Sequence, residues 1–217
     1  MLLEKDNTKQ EKYIDSLCDY EQSERMFVMP ENSLNYEKYE MYKATLAHHD
    51  KAIKQGFYLE CIMLNYGLIE DRLNFLLYRL GLIRFNPNGI ECTKKSIAHL
   101  RIMLGIKTGC QVKVKDMKVK IEILQKLIDN TIESPGILND ISIRMAQKID
   151  AHEFIAMLND LHTWRDQRNH FVHGLMNKSP SIYDEDLKTM AENGKKYFRY
   201  LDKVVRRFDR VDIRVCF

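Results

Sequence analysis

From Phe57 to Leu80 the chain runs without a proline and places apolar side chains at helical spacing on nearly every side: Leu59, Ile62, Met63, Tyr66, Ile69, Leu73, Leu76 and Leu77. Apolar residues recurring at that period specify a helix, and a helix apolar almost all round must be wrapped by other structure. Glu60, Asn65, Glu70, Asp71 and Arg72 interrupt the run, which excludes a membrane span. The segment therefore reads as the central helix of a soluble bundle. Gly56 and Gly81 bound it.

The rest of the chain reads as helices around that centre. Four Pro and nine Gly in 217 residues leave room for long helices. A helix is expected over about Tyr36–Gln55, capped by Asn32 or Ser33. Asn86-Pro87-Asn88-Gly89 is a turn, and Thr93 caps a short helix to about Leu104. Residues 105–115 read as a loop whose alternating run, Val112-Lys113-Val114-Lys115, has strand character but no evident partner. Asp116 opens a helix to about Asn130, Ser134-Pro135-Gly136 breaks it, and a short helix is expected between Asn139 and Lys148. Asp150 and Glu153 have capping-box spacing and open the next helix. The last helix runs from about Asp184 to Arg210 with Gly194 inside it. The expected fold is an all-α helical bundle over residues 34–217, pairing helix 57–80 with helix 150–173, preceded by an N-terminal arm over residues 1–33.

Composition sets limits on partners. The formal charge is only +3, so any nucleic-acid contact comes from local patches rather than a global field. The five Cys stand singly, with no CxxC pair and no zinc-ligand spacing, as expected of reduced thiols in the cytoplasm. Met1-Leu2-Leu3 runs straight into charge, which is unlike a signal peptide.

The strongest chemical suggestion lies in Trp164-Arg165-Asp166-Gln167-Arg168-Asn169-His170-Phe171-Val172-His173-Gly174. Arg and His together are the minimum set for cutting RNA without a metal: one holds the phosphate charge, the other moves a proton. Two registers overlap, Arg165 with His170 and Arg168 with His173. Turning 100° per residue from Leu161, Phe154, Met157, Leu158, Val172 and Leu175 fall within about 60° and form one apolar stripe. Trp164 lies on its edge. Arg168 falls at about −20°, where a guanidinium must be paired or face a cleft or partner. Asn169, His162, His173 and Asp166 fall at about 80° to 140°, as a polar strip, and His170 at about 180°. The wheel favours the Arg168/His173 register.

In that register the segment resembles the HEPN superfamily, whose RNase members carry Arg, a polar residue, a short spacer and His. The likeness rests on Arg168, Asn169 and His173, with a looser order of helices over residues 36–208. It implies a metal-independent endoribonuclease of a toxin–antitoxin or abortive-infection antiviral system, with no cofactor. It also implies a homodimer with a composite site, RNA as substrate, and an antitoxin protein or regulatory RNA as a further partner. The same family includes members that bind RNA or protein without cutting.

Supporting residues follow. Glu70 on the central helix needs a cation, and Arg168 is a candidate; an outward-facing Glu beside Arg72 is the plain alternative. His162 and Asp166 are i, i+4 neighbours, either a surface pair or a support for the site. Lys113, Lys115, Lys118 and Lys120, with Arg165, form one positive run, and Lys195 to Arg210 another; either tracks an RNA backbone or is simply a solvated face. His170 and His173 at i, i+3 could bind a metal, but no third ligand is evident.

Overall fold

Gly56 and Gly81 adopt φ of +77° and +74°, the left-handed region that side chains disfavour. Each closes a helix by the same pair of bonds. Gly81 N donates to Tyr78 O at 2.9 Å and Leu82 N to Leu77 O at 3.0 Å; Gly56 N donates to Ile53 O and Phe57 N to Ala52 O. These are Schellman ends, and they define α1, Leu34–Lys54, and α2, Tyr58–Arg79.

The computed structural model describes residues 34–86, 89–107, 110–129, 137–174 and 184–208, with the backbone alone at 34–39, 137, 173, 174 and 184. The N-terminal arm, Leu175 and the break at 134–136 lie outside the described residues. Packing divides the chain into two units, Met1–His48 and His49–Phe217; α1 crosses the boundary, and the core lies in the second unit.

After α2 come β1 (Ile83–Asn86), β2 (Gly89–Cys92), α3 (Ile97–Met103), α4 (Met117–Ile128), α5 (Ile137–Lys148), α6 (Ala151–Gly174) and α7 (Asp184–Arg206). Among the described residues the fold is all-α apart from one two-stranded sheet. The expected turn at 86–89 is flanked by strands that sequence reading left out. They pair antiparallel from Ile83↔Cys92 to Asn86↔Gly89, and Arg84 bridges Glu91 at 2.9 Å across them. Strands this short show too little alternation to register as such. Val112–Lys115, which did alternate, joins no ladder; Val114 is buried and its two lysine neighbours are exposed.

Asp150 caps α6 as its spacing foretold, with Oδ1 accepting from Glu153 N at 2.9 Å. The apolar stripe of α6 is buried at Phe154, Met157, Leu158 and Leu161, and so is Trp164. The expected pairing of α2 with α6 is a correction, however: α2 packs most extensively on α7, and α6 packs on α4 and α7. The reason lies at Gly194. A Cβ there would stand 2.8 Å from Asn65 Nδ2 and 2.8 Å from Trp164 Cζ2. Its absence lets α7 approach α2 and α6 closely. Asn65 Nδ2 then donates to Ala191 O at 2.7 Å, and Trp164 Nε1 to Met190 O at 2.8 Å. Two buried N–H donors thus find carbonyl acceptors on α7, while Asn65 Oδ1 is buried without a hydrogen-bond partner.

Candidate functional site

A charged residue on an apolar stripe needs a seat, and Arg168 finds one on α2. Its guanidinium carbon lies 4.3 Å from the ring centroid of Tyr66, within cation–π range. Nη2 points to Met63 Sδ at 3.1 Å, and Nη1 donates to Asn169 Oδ1 at 3.0 Å. Nε is buried without a hydrogen-bond partner. Arg168 is half-buried and makes no ion pair among the described residues.

The proposed Glu70–Arg168 pair is therefore corrected. Glu70 instead receives Lys120 Nζ at 2.8 Å. That same bond removes Lys120 from the candidate RNA-binding residues. Its side chain is 1% exposed, whereas that of Glu70 is 33% exposed. A buried ammonium must be paired, and Lys120 sits on the inner face of α4 where its carboxylate partner can reach it. Lys113, Lys115 and Lys118 are exposed.

On the polar strip, Asp166 is the hub. Arg165 Nε donates to its Oδ1 at 3.2 Å, with Nη2 closer still, and His162 Nδ1 lies 3.2 Å from Oδ2. The Arg165 hydrogen bond, aided by charge from Arg165, His162 and Lys118, holds the Asp166 carboxyl below its usual range. The Arg165 side chain is only 11% exposed, so its cation faces Asp166 before any ligand. Burial pushes the Tyr66 phenol up and Glu70 adds to this, while Arg168 and Arg165 pull against it.

Helix α6 continues to Gly174, so Asn169 and His173 stand one turn apart on its backbone. The His173 side chain lies outside the described residues. His170, opposite the apolar stripe, is exposed and lines a cleft of about 640 Å³ between α6 and α7. Asp166, Phe171, Asp186, Thr189 and Asn193 share that cleft. Among the described residues, no group of three or more His, Cys, Asp or Glu is placed to hold a metal ion, and no helix is long and apolar enough to cross a membrane.

Sequence reasoning missed Tyr66 and Met63 as the seat of Arg168. Both were read as the apolar face of α2; their i, i+3 spacing beside an unpaired Arg elsewhere was the available signal. It also missed His49 and Asp50, and read Lys195 only as part of a positive run, whereas Lys195 Nζ bridges Asp50 beside a fully buried imidazole. Comparison with family models, curated proteins and solved structures finds no match.

Proposed function

We propose that this chain is a metal-independent endoribonuclease of the HEPN type, acting as a homodimer in a toxin–antitoxin or antiviral defence system. The observation that supports the reading most is the seat of Arg168. A guanidinium held against the Tyr66 ring, steadied by Asn169 and without an ion pair among the described residues, is preorganised for a phosphate. It lies on the helix that carries His173 one turn beyond Asn169.

In this reading Arg168 binds the scissile phosphate and offsets the charge of the pentavalent state. The ribose 2'-oxygen attacks phosphorus and the bond to the 5'-oxygen breaks, leaving a 2',3'-cyclic phosphate and a 5'-hydroxyl. His173 takes the 2'-hydroxyl proton or delivers one to the leaving oxygen. One imidazole serves one of these transfers, and a second copy of the chain supplies the other. Asn169 orients Arg168 through its Oδ1.

The test is incubation of the purified protein with single-stranded RNA and tRNA in EDTA. Cleavage to cyclic phosphate ends is expected, falling about a hundredfold to ten-thousandfold in His173→Ala. Activity that survives His173→Ala but is lost in His170→Ala moves the reaction to the Arg165/His170 register beside the cleft. A second reading, a non-catalytic RNA- or protein-binding module, draws on the fact that both Nη atoms of Arg168 already have protein acceptors. RNA bound but never cut by the wild type supports that module instead.

A further inference from the structure

One stretch of this protein carries a marked excess of positive charge. Between Thr93 and Lys120 stand eight Lys or Arg against a single acid, Asp116, a net of +7. The whole chain carries +3, so everything else sums to −4. Buried Lys120 apart, the stretch turns its lysines outward: Lys94, Lys95, Lys107, Lys113, Lys115 and Lys118 are all exposed. Lys94, Lys107, Lys113 and Lys115 make no ion pair among the described residues. Exposed lysines in such number, with only one acid among them, attract an anionic partner.

Hydrogen bonds tie the described parts of the stretch to one another and to their neighbours. Arg101 Nη2 donates to Cys110 O at 3.1 Å, which ties α3 to the segment that follows it. Cys92 Sγ reaches Val112 O at 3.7 Å and ties the hairpin to the same segment. Lys126 Nζ caps the end of α3 at Met103 O, 2.7 Å away, and joins it to α4. The exposed–buried–exposed order of Lys113, Val114 and Lys115 is that of extended chain, which sets the two ammonium stems about 6.6 Å apart on one side. That interval is comparable with the spacing of successive phosphates along an unstacked single strand. Phe85 on the hairpin is 45% exposed and offers a ring on which a base can stack.

The direction of the surface matters most. It ends at the start of α4, a helix bound to α6 by Gln125 Nε2 to Asn159 Oδ1 at 2.7 Å. There Lys120 Nζ reaches Glu70 at 2.8 Å, one turn along α2 from Tyr66. The basic surface thus runs out beside Tyr66, against whose ring Arg168 rests. We propose that residues 93–107 and 110–118 form a track for single-stranded RNA that leads its phosphates to the Arg168 site. Only the fate of the strand at the end of the track rests on the endoribonuclease reading; the track itself is a claim about binding.

The experiment measures binding of a fluorescent single-stranded RNA at several salt concentrations, in EDTA, and cleavage of the same RNA separately. The variants are Lys113→Gln/Lys115→Gln/Lys118→Gln and, with equal loss of charge elsewhere, Lys43→Gln/Lys51→Gln/Lys54→Gln. The track triple is expected to weaken binding about tenfold at moderate salt and to lower the slope of log affinity against log salt by about 2, three phosphate contacts at about 0.7 each. The control triple should stay within about twofold of wild type, as fits screened charges remote from the strand. Equal losses in both triples, or no loss in the track triple, overturn the track even if the wild type cleaves RNA. Track-dependent binding without any cleavage upholds the track and removes the nuclease reading. A wild type that ignores RNA but binds vesicles of anionic phospholipid through these lysines overturns the proposal in favour of a membrane surface.

Discussion

The guanidinium of Arg168 lies 4.3 Å from the centroid of the Tyr66 ring, so the motif helix is anchored to the central helix by a cation on an aromatic face. A contact of this kind is worth about 0.5–2 kcal/mol. It fixes the plane of the guanidinium without neutralising it. Tyr66→Phe keeps the ring and should cleave RNA within about twofold of wild type. Tyr66→Leu removes the face and should lower the rate by roughly 2- to 30-fold, the same energy expressed as a rate. Arg168→Lys should fare worse than Tyr66→Leu, because an ammonium cannot hold Asn169 and a phosphate in one plane. Single-turnover cleavage of one RNA by the three variants checks the order. Equal rates in Tyr66→Phe and Tyr66→Leu would remove the ring from the argument.

Two glycines inside helices should respond to alanine with opposite signs. Gly67, on α2, has no atom within 4 Å of where a Cβ would stand. Gly67→Ala should stabilise by about 0.5–1 kcal/mol, the usual difference in helix propensity. Gly194→Ala gains the same propensity but drives a methyl to 2.8 Å from both Asn65 and Trp164. Overpacking there costs about 1–3 kcal/mol, and the hydrogen bonds to Ala191 O and Met190 O are strained as well. A net loss is expected. Thermal melting of both variants decides it, and a rise in Tm for Gly194→Ala would show that the three helices are not in close contact there.

Much of this arrangement was legible in the chain. Gly56 and Gly81 announced helix ends because a left-handed residue at C′ is a local requirement, and Asp150 announced a helix start because its carboxylate needs only the N–H three residues on. The wheel put Arg168 on the apolar stripe of α6, and it is indeed half-buried. What failed to show was everything set by partners distant in sequence. Lys120 looked like one more surface lysine, since nothing near it reveals that Glu70 reaches across from α2. Gly194 looked merely tolerated, because the side chains it makes room for belong to two other helices. The basic stretch was read only at Lys113–Lys120, since counting a run of lysines does not show that α3, the hairpin and the intervening segment fold onto one another.

The Glu70–Lys120 pair should be asymmetric under mutation. Lys120 is almost wholly enclosed, so Glu70→Leu strands an ammonium away from water and should destabilise by about 3 kcal/mol, the low end for breaking a buried pair. Lys120→Met leaves Glu70 with its one-third exposure to turn toward solvent, and should cost about 1 kcal/mol or less. The double variant Glu70→Leu/Lys120→Met should lie closer to wild type than Glu70→Leu alone, since no buried charge remains. Urea denaturation of the four proteins tests this. Equal losses in the two single variants would contradict the enclosure of Lys120.

His49 should make stability depend on pH near neutrality. Its side chain is fully buried, Nε2 has no hydrogen-bond partner, and Nδ1 lies 3.4 Å from Asp50 Oδ1. Burial lowers its pKa from the ordinary 6.5; Asp50 resists, while Lys195 and Arg199 add to the lowering. The folded state therefore holds fewer protons on this residue than the unfolded state does below about pH 6.5. Stability should be undiminished above that pH and fall as pH drops through it, until the folded imidazole is protonated in turn. Asp50 acts in a separate window. Burial pushes its pKa up, but the hydrogen bond and charge of Lys195, together with those of His49, outweigh this and hold it below 3.8, so its contribution is lost only in stronger acid. Melting temperature measured from about pH 7.5 to about pH 5.5 should fall in the wild type and stay nearly level in His49→Gln, which cannot take up the proton. An equal slope in both proteins would place the sensitivity on another group.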